Sequence, residues 1–167
     1  RWEKNAYLRQ REIVFMDVRE RALYYLNIKP RTRKQVERYL KEKGFSEDEI
    51  LPVLKELEEY SYIDDLSYSI MYFELGFEKG RGKLRIKREL AERGVSEDII
   101  QNAFEKLEDT PDEFEAAMKI AEEAVSGIDI ESLDYGEKRK LQAKVGRRLI
   151  SRGFSTEDTY KVLGRLL

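Results

Sequence analysis

Val36-Glu37-Arg38-Tyr39-Leu40-Lys41-Glu42-Lys43-Gly44-Phe45-Ser46 decides the fold, because its framework occurs three times in the chain. It returns as Ile86, Leu90, Gly94, Val95 and Ser96, and again as Val145, Leu149, Gly153, Phe154 and Ser155. In every copy an apolar residue stands eight positions before the glycine, Leu four before, an apolar residue one after and Ser two after. Leu54, Phe104 and Leu163 then follow ten residues after their glycines. Apolar residues four apart share one face of a helix, and a glycine past the last turn takes the left-handed conformation that closes it. The serine predicts the N-cap of a following helix. Glu47-Asp48-Glu49, Glu97-Asp98 and Glu157-Asp158 come next, where carboxylates meet the positive end of the helix dipole.

Helical stretches precede each pair at Val18 to Asn27, Asp65 to Leu75 and Pro111 to Val125, the last with proline at or near the first turn. Each unit is therefore three helices. The expected divisions are 17–61, 62–109 and 110–167, with Lys79-Gly80-Arg81-Gly82 and Ser126-Gly127 as internal loops. Residues 1–16 form an N-terminal segment that fits neither class, and 7–16, with Ile13-Val14-Phe15, suit strand or helix equally. Units of this size are marginal alone, so neighbours are expected to pack on one another. The predicted fold is all-α: three tandem three-helix repeats in an elongated, curved arrangement, roughly 60 to 75 Å long.

The chain has 167 residues, 40 % charged and 41 % hydrophobic, which provides a core beneath a dense ionic surface. Cysteine and histidine are both absent. That excludes disulfides, thiolate metal sites and cysteine nucleophiles, and removes the commonest general base. Asp64-Asp65 suits helix capping better than metal binding, because adjacent carboxylates point in different directions. Gly80-Arg81-Gly82 lacks the preceding strand and the spacing of a phosphate loop, and reads as a turn with a mobile basic flank. Tyr24, Tyr25, Tyr39, Tyr60, Tyr62, Tyr68 and Tyr72 are spaced for core packing more than for base stacking. No catalytic residue, metal site or cofactor is expected. The longest apolar runs are too short to span a bilayer, and no signal peptide is visible, so a cytoplasmic, monomeric protein is expected.

Thirty-two basic and 34 acidic residues nearly cancel, so distribution matters more than net charge. The middle helix of every unit is basic. The first carries Arg31, Arg33, Lys34, Arg38, Lys41 and Lys43, but it is followed by an acid-rich helix and reads as largely structural. Arg81, Lys83, Arg85, Lys87 and Arg88 in the second, and Lys138, Arg139, Lys140, Lys144, Arg147, Arg148 and Arg152 in the third, are the candidate binding residues. Lys138 to Arg152 contains no acidic residue, which suits phosphates or an acidic protein surface.

Ala22-Leu23-Tyr24-Tyr25-Leu26, Val36 to Phe45, Tyr62-Ile63-Asp64-Asp65, Gly82-Lys83-Leu84-Arg85-Ile86 with Glu89-Leu90 and Gly94, and Arg152-Gly153-Phe154-Ser155 occur in an order and spacing that resembles the RecX regulatory proteins. The likeness runs from about residue 17 to the end. It implies tandem three-helix repeats and a modulator of the RecA recombinase, one that binds the RecA-DNA filament and typically inhibits its ATP hydrolysis, strand exchange and coprotease activity. Contact with single- or double-stranded DNA phosphates is a further expectation. A direct DNA-binding helical-repeat protein is the alternative, since a three-helix module with a basic helix also resembles helix-turn-helix variants. Where the family often has Arg-Phe-Ala after the aspartates, this chain has Ser67-Tyr68-Ser69, so a filament contact by that arginine has no counterpart here.

Overall fold

The computed structural model describes residues 16–166; the open choice between strand and helix at 7–16 falls outside them except for Met16. Among the described residues nine α-helices run in order: α1 Val18–Ile28, α2 Arg33–Glu42, α3 Glu47–Glu59, α4 Asp65–Glu78, α5 Lys83–Glu92, α6 Glu97–Glu105, α7 Glu113–Val125, α8 Tyr135–Arg152 and α9 Thr156–Leu166. A 3₁₀ turn, Ile130–Ser132, precedes α8, and no strand occurs among the described residues. The chain is an all-α repeat protein.

Local chemistry sets these boundaries. Reciprocal capping boxes open α1 (Asp17 with Glu20), α2 (Thr32 with Gln35), α3 (Ser46 with Glu49) and α8 (Asp134 with Glu137). Ser96 caps α6, and Ser155 accepts the Asp158 N–H at 3.0 Å at the start of α9. Gly44, Gly94 and Gly153 close the middle helices at φ of 92°, 82° and 97°, a conformation costly to any residue with a Cβ. Pro111 lies one residue before the N-cap Asp112 and so stands outside α7, where the sequence places it at the helix start.

Among the described residues three separate apolar clusters form, one within each helix triplet. Val36, Leu40, Ile50, Leu54 and Leu57 fill the first, Phe73, Ile86 and Leu90 the second, and Val145, Leu149 and Val162 the third, all essentially inaccessible to solvent. The tyrosine set divides. Tyr25 stacks on Tyr39 at 4.0 Å and Tyr68 on Tyr72 at 6.0 Å, whereas Tyr24 is exposed on α1, and so are Tyr60 and Tyr62. Those two fall in the turn after α3, beyond the helical face that faces the core.

Neighbouring triplets meet at joints made of helix ends. The C-terminal end of α5 abuts the N-terminal end of α2, and that of α8 the N-terminal end of α5, pairing opposite ends of two helix dipoles. Thr32 Oγ1 donates to the Arg93 carbonyl at 2.7 Å, while the Gly82 and Leu84 N–H groups donate to the Arg152 and Gly153 carbonyls at 2.8 and 3.2 Å. Each joint also recruits the first residue of the following triplet. Asp65 Oδ1 accepts the Arg33 N–H at 2.8 Å, and Glu113 Oε1 accepts the Lys83 N–H at 3.1 Å, so each carboxylate caps a helix other than its own. Asp64 performs the local role, accepting from Ser67 N–H at 2.9 Å. The expected capping by this pair is present, but divided between two helices.

Asp65→Ala leaves the Arg33 N–H without its acceptor, and the expected loss is about 1–3 kcal/mol, against little for Asp65→Asn, whose side-chain oxygen still accepts. Urea unfolding of the two variants measures the difference. Burial lifts both Asp65 and Glu113 above the ordinary carboxylate range, against the opposing pull of Arg33 and Lys83. A carboxyl that holds its proton more tightly when folded stabilises at low pH and loses that contribution as pH rises through the raised value. In the double variant Asp65→Asn, Glu113→Gln, stability relative to the parent should therefore climb as pH passes upward from about 4, the ordinary carboxylate value. Urea midpoints across that window test this; a difference that does not vary with pH contradicts it.

Candidate binding surface

The structure treats the two sets of predicted binding residues differently. In α5, Glu89 gathers the basic side chains: Arg81 Nη1 lies 3.0 Å and Arg85 Nε 2.7 Å from its carboxylate, and the Tyr72 hydroxyl donates to it at 2.7 Å. Burial alone would raise the Glu89 pKa, but Arg85, Tyr72 and Arg81 outweigh it and hold the carboxylate below its ordinary value. Arg81 is thus not a mobile flank of the Gly80–Gly82 turn; it is locked, and Gly82 beside it is buried in the joint to α8. Lys83 and Lys87 place their ammonium groups 5.0 and 5.2 Å from the Phe104 ring, and Lys87 also donates to Gln101 at 3.0 Å. Arg88 faces solvent, 3.9 Å from Glu92.

The first middle helix is compensated in the same way. Glu37 takes Lys41 at 2.8 Å, Lys34 at 3.0 Å and Arg33 at 3.9 Å. Hydrogen bonds from Lys41 and Lys34 hold its carboxyl below the ordinary range. Arg33 reaches Glu58 at 2.9 Å, and Arg31 lies over the Tyr25 ring at 4.1 Å.

Helix α8 is different. It runs for 18 residues, about 27 Å at 1.5 Å per residue, and its only acid is Glu137 in the first turn. Lys140, Lys144, Arg147 and Arg148 are exposed, and none of them forms an ion pair among the described residues. Their spacing places them in one row along the helix. Arg139 is also exposed, with its guanidinium 5.9 Å from the Tyr135 ring, and Lys138 is half-buried at the head of the row. Arg152 departs from the set: its guanidinium donates to the Lys79 carbonyl at 3.3 Å and belongs to the joint.

Sequence reasoning missed the two carboxylates, Glu37 and Glu89, that decide which basic helices are neutralised. The Arg85–Glu89 pair has an i,i+4 signature, but the reach of Arg81 and the approach of Tyr72 from α4 have none. Ser67 and Ser69 are occupied internally, Ser67 at the Asp64 cap and Ser69 donating to the Asp65 carbonyl at 2.6 Å. Among the described residues, no cluster of three or more acidic side chains is placed to hold a metal ion, and no helix is long and apolar enough to cross a membrane.

Residues 19–57 match the family model of the first three-helix domain of RecX, and residues 64–103 match that of the second. The chain is 32 % identical over 156 residues to the regulatory protein RecX of Clostridium perfringens strain 13, covering 93 % of this chain and 71 % of the relative. It is 36 % identical over 148 residues to the regulatory protein RecX of Clostridium tetani, covering 87 % and 65 %. Among solved structures, RecX from Lactobacillus salivarius superposes with a TM-score of 0.73 at 25 % identity, over 89 % of this chain and 94 % of that one.

Proposed function

Because the chain belongs to the RecX family of regulatory proteins, we propose that it binds the filament formed by the RecA recombinase on DNA and restrains its ATP hydrolysis, strand exchange and coprotease activity. The observation that supports this reading most is the uncompensated row Lys140, Lys144, Arg147 and Arg148 on α8. A cationic row with no ion-pair partner among the described residues has no such pair to give up when it meets an anionic surface, and its field steers encounter. The exposed Arg88 of α5 extends the proposed surface towards the second triplet. Lys83, Arg85, Lys87 and Arg81 contribute their stems and shape more than free charge, because their heads are already engaged.

Restraint follows from having several such contacts on one chain. Each is weak in water, but linked contacts to successive filament subunits act at high effective concentration. A chain seated across subunit boundaries opposes the relative motion that turnover and growth require. This role asks for no catalysis by the chain itself, and for a monomer acting in the cytoplasm.

Co-sedimentation tests the reading. The protein should pellet with RecA filaments assembled on single-stranded DNA with a slowly hydrolysed nucleotide, and more weakly with the same DNA alone. Equal pelleting with bare DNA would instead favour the direct DNA-binding alternative.

A further inference from the structure

The third triplet differs from the other two in a way that the basic row alone does not explain. Counting from the framework glycine of each unit, the position seven before it is Glu37, Lys87 and Gly146, and the position eleven after it is Lys55, Glu105 and Gly164. Long charged side chains thus stand at both places in the first two units, and glycine at both in the third. In the second unit Lys87 spans from α5 to α6, reaching Gln101 and lying over Phe104. Without such a side chain, α8 and α9 enclose an open groove of about 740 Å³, against about 300 Å³ at the corresponding place between α5 and α6. Ala143, Gly146 and Ile150 line it from α8, and Tyr160, Leu163 and Gly164 from α9.

The fold does not require these glycines. Both lie inside helices, where glycine is a poor former, and neither has the positive φ that would exclude a side chain. A Cβ on Gly164 would meet nothing within 4 Å, and one on Gly146 would meet only the tip of Leu163 at 3.3 Å and the Thr159 methyl at 3.9 Å. A second irregularity lies in the same wall. Ile50 and Ile100 fill the position six after the glycine in the first two units, but the third has Thr159 there. Thr159 is 5 % exposed, lines the groove, and its Oγ1 has no hydrogen-bond partner among the described residues. A buried hydroxyl left unpaired is costly, so threonine here, where the other two units have isoleucine, is a departure that the core does not call for. Ile150 and Tyr160, 47 % and 72 % exposed, offer apolar edges.

Charge selects the occupant. Residues 139, 143, 146 and 150 recur at helical spacing along the groove, and Lys140, Lys144, Arg147 and Arg148 occupy the adjoining face of α8 as a cationic rim. On α9, Glu157 is held by Lys161 at 2.6 Å. We infer that the groove between α8 and α9 receives an acidic amphipathic helix of a protein partner, its apolar side chains over Gly146 and Gly164 and its carboxylates on the rim. DNA would satisfy the rim but leave the apolar groove empty. The inference rests on the proposed function only in taking the RecA filament as the assembly that supplies this helix.

The test uses the whole chain and two probes. The first is a labelled synthetic helix with Leu at i, i+3, i+4 and i+7 and Glu on the flanking positions, beside a scrambled peptide of the same composition. The parent should bind the helix and not the scramble, and Gly164→Leu, which plugs the groove, should weaken binding at least about tenfold. Gly146→Lys, which copies the second unit, should do the same. Circular dichroism should show both variants folded, with Gly164→Leu at least as heat-stable as the parent. The second probe is the RecA filament on single-stranded DNA: Gly164→Leu should lose filament binding but keep the parent's affinity for the DNA alone. Several results overturn the inference: equal binding of scramble and helix, a plugged variant that grips the filament as the parent does, an equal loss on bare DNA, or a parent dimer that Gly164→Leu dissociates. A parent that binds the peptide but not the filament keeps the groove and overturns the RecA reading instead.

Discussion

Gly82→Ala should separate the second and third helix triplets. Gly82 has an ordinary helix-entry backbone, φ −75° and ψ 156°, which alanine adopts without strain, so the whole effect is steric. A Cβ there would lie 2.3 Å from the Gly153 carbonyl oxygen, 2.4 Å from its carbon and 2.7 Å from the Phe154 nitrogen. These are backbone atoms that cannot rotate aside. The joint must open, and with it go the Gly82 and Leu84 hydrogen bonds to Arg152 and Gly153 and the Glu113 cap on Lys83. Overpacking of this kind costs about 1–3 kcal/mol and occasionally more, and the lost hydrogen bonds place this variant at or above the top of that range. Because each triplet keeps its own core, unfolding should split into two transitions, with α7–α9 melting separately from the rest. Gly44→Ala is the internal control. It meets nothing within 4 Å and carries only the left-handed strain, about 1–2 kcal/mol, with cooperativity unchanged. Calorimetry that shows a single unshifted transition for Gly82→Ala would refute the joint.

Neutralising the α8 row should remove function without touching the fold. The variant Lys140→Gln, Lys144→Gln, Arg147→Gln, Arg148→Gln alters exposed side chains with no ion-pair partner among the described residues, so its thermal midpoint should stay near that of the parent. Filament inhibition should weaken at least about tenfold, equivalent to about 1.4 kcal/mol, and the remaining inhibition should depend less on salt. Arg81→Lys with Arg85→Lys, which keeps most of both stems but loses the guanidinium contacts to Glu89, gives the opposite pattern. Those contacts satisfy the shielded Glu89 carboxylate, so stability falls, and weaker inhibition arises only in proportion to the unfolded fraction. Inhibition curves and melting curves on the two variants separate binding charge from structural charge. Full inhibition by the α8 variant would remove this helix from the surface.

The contrast between these helices shows what the sequence carries and where it stops. The glycine-to-serine framework was legible because every part acts within one or two turns: Leu40, Leu90 and Leu149 face the core, Gly44, Gly94 and Gly153 take positive φ, and Ser46, Ser96 and Ser155 each cap the next helix. The joints were not legible. Asp65 finds Arg33 from 32 residues away and Glu113 finds Lys83 from 30, and no local pattern marks such partners. The units were expected to pack on one another, yet their apolar clusters are separate and helix ends do the joining. Equal-looking runs of basic residues likewise diverge, because the fold brings Glu37 and Glu89 to α2 and α5 and, among the described residues, nothing comparable to the exposed row of α8. Gly146, Thr159 and Gly164 were open to discovery by aligning the repeats, but only at positions that the shared apolar framework passes over.

The most direct test is the rate of ATP hydrolysis by RecA on single-stranded DNA, followed as this protein is added. Binding across filament subunits predicts a progressive fall in rate at protein-to-RecA ratios below one, lost in the α8 variant and retained by a folded variant altered elsewhere on the surface. An unchanged rate with the protein in excess over RecA would contradict the account.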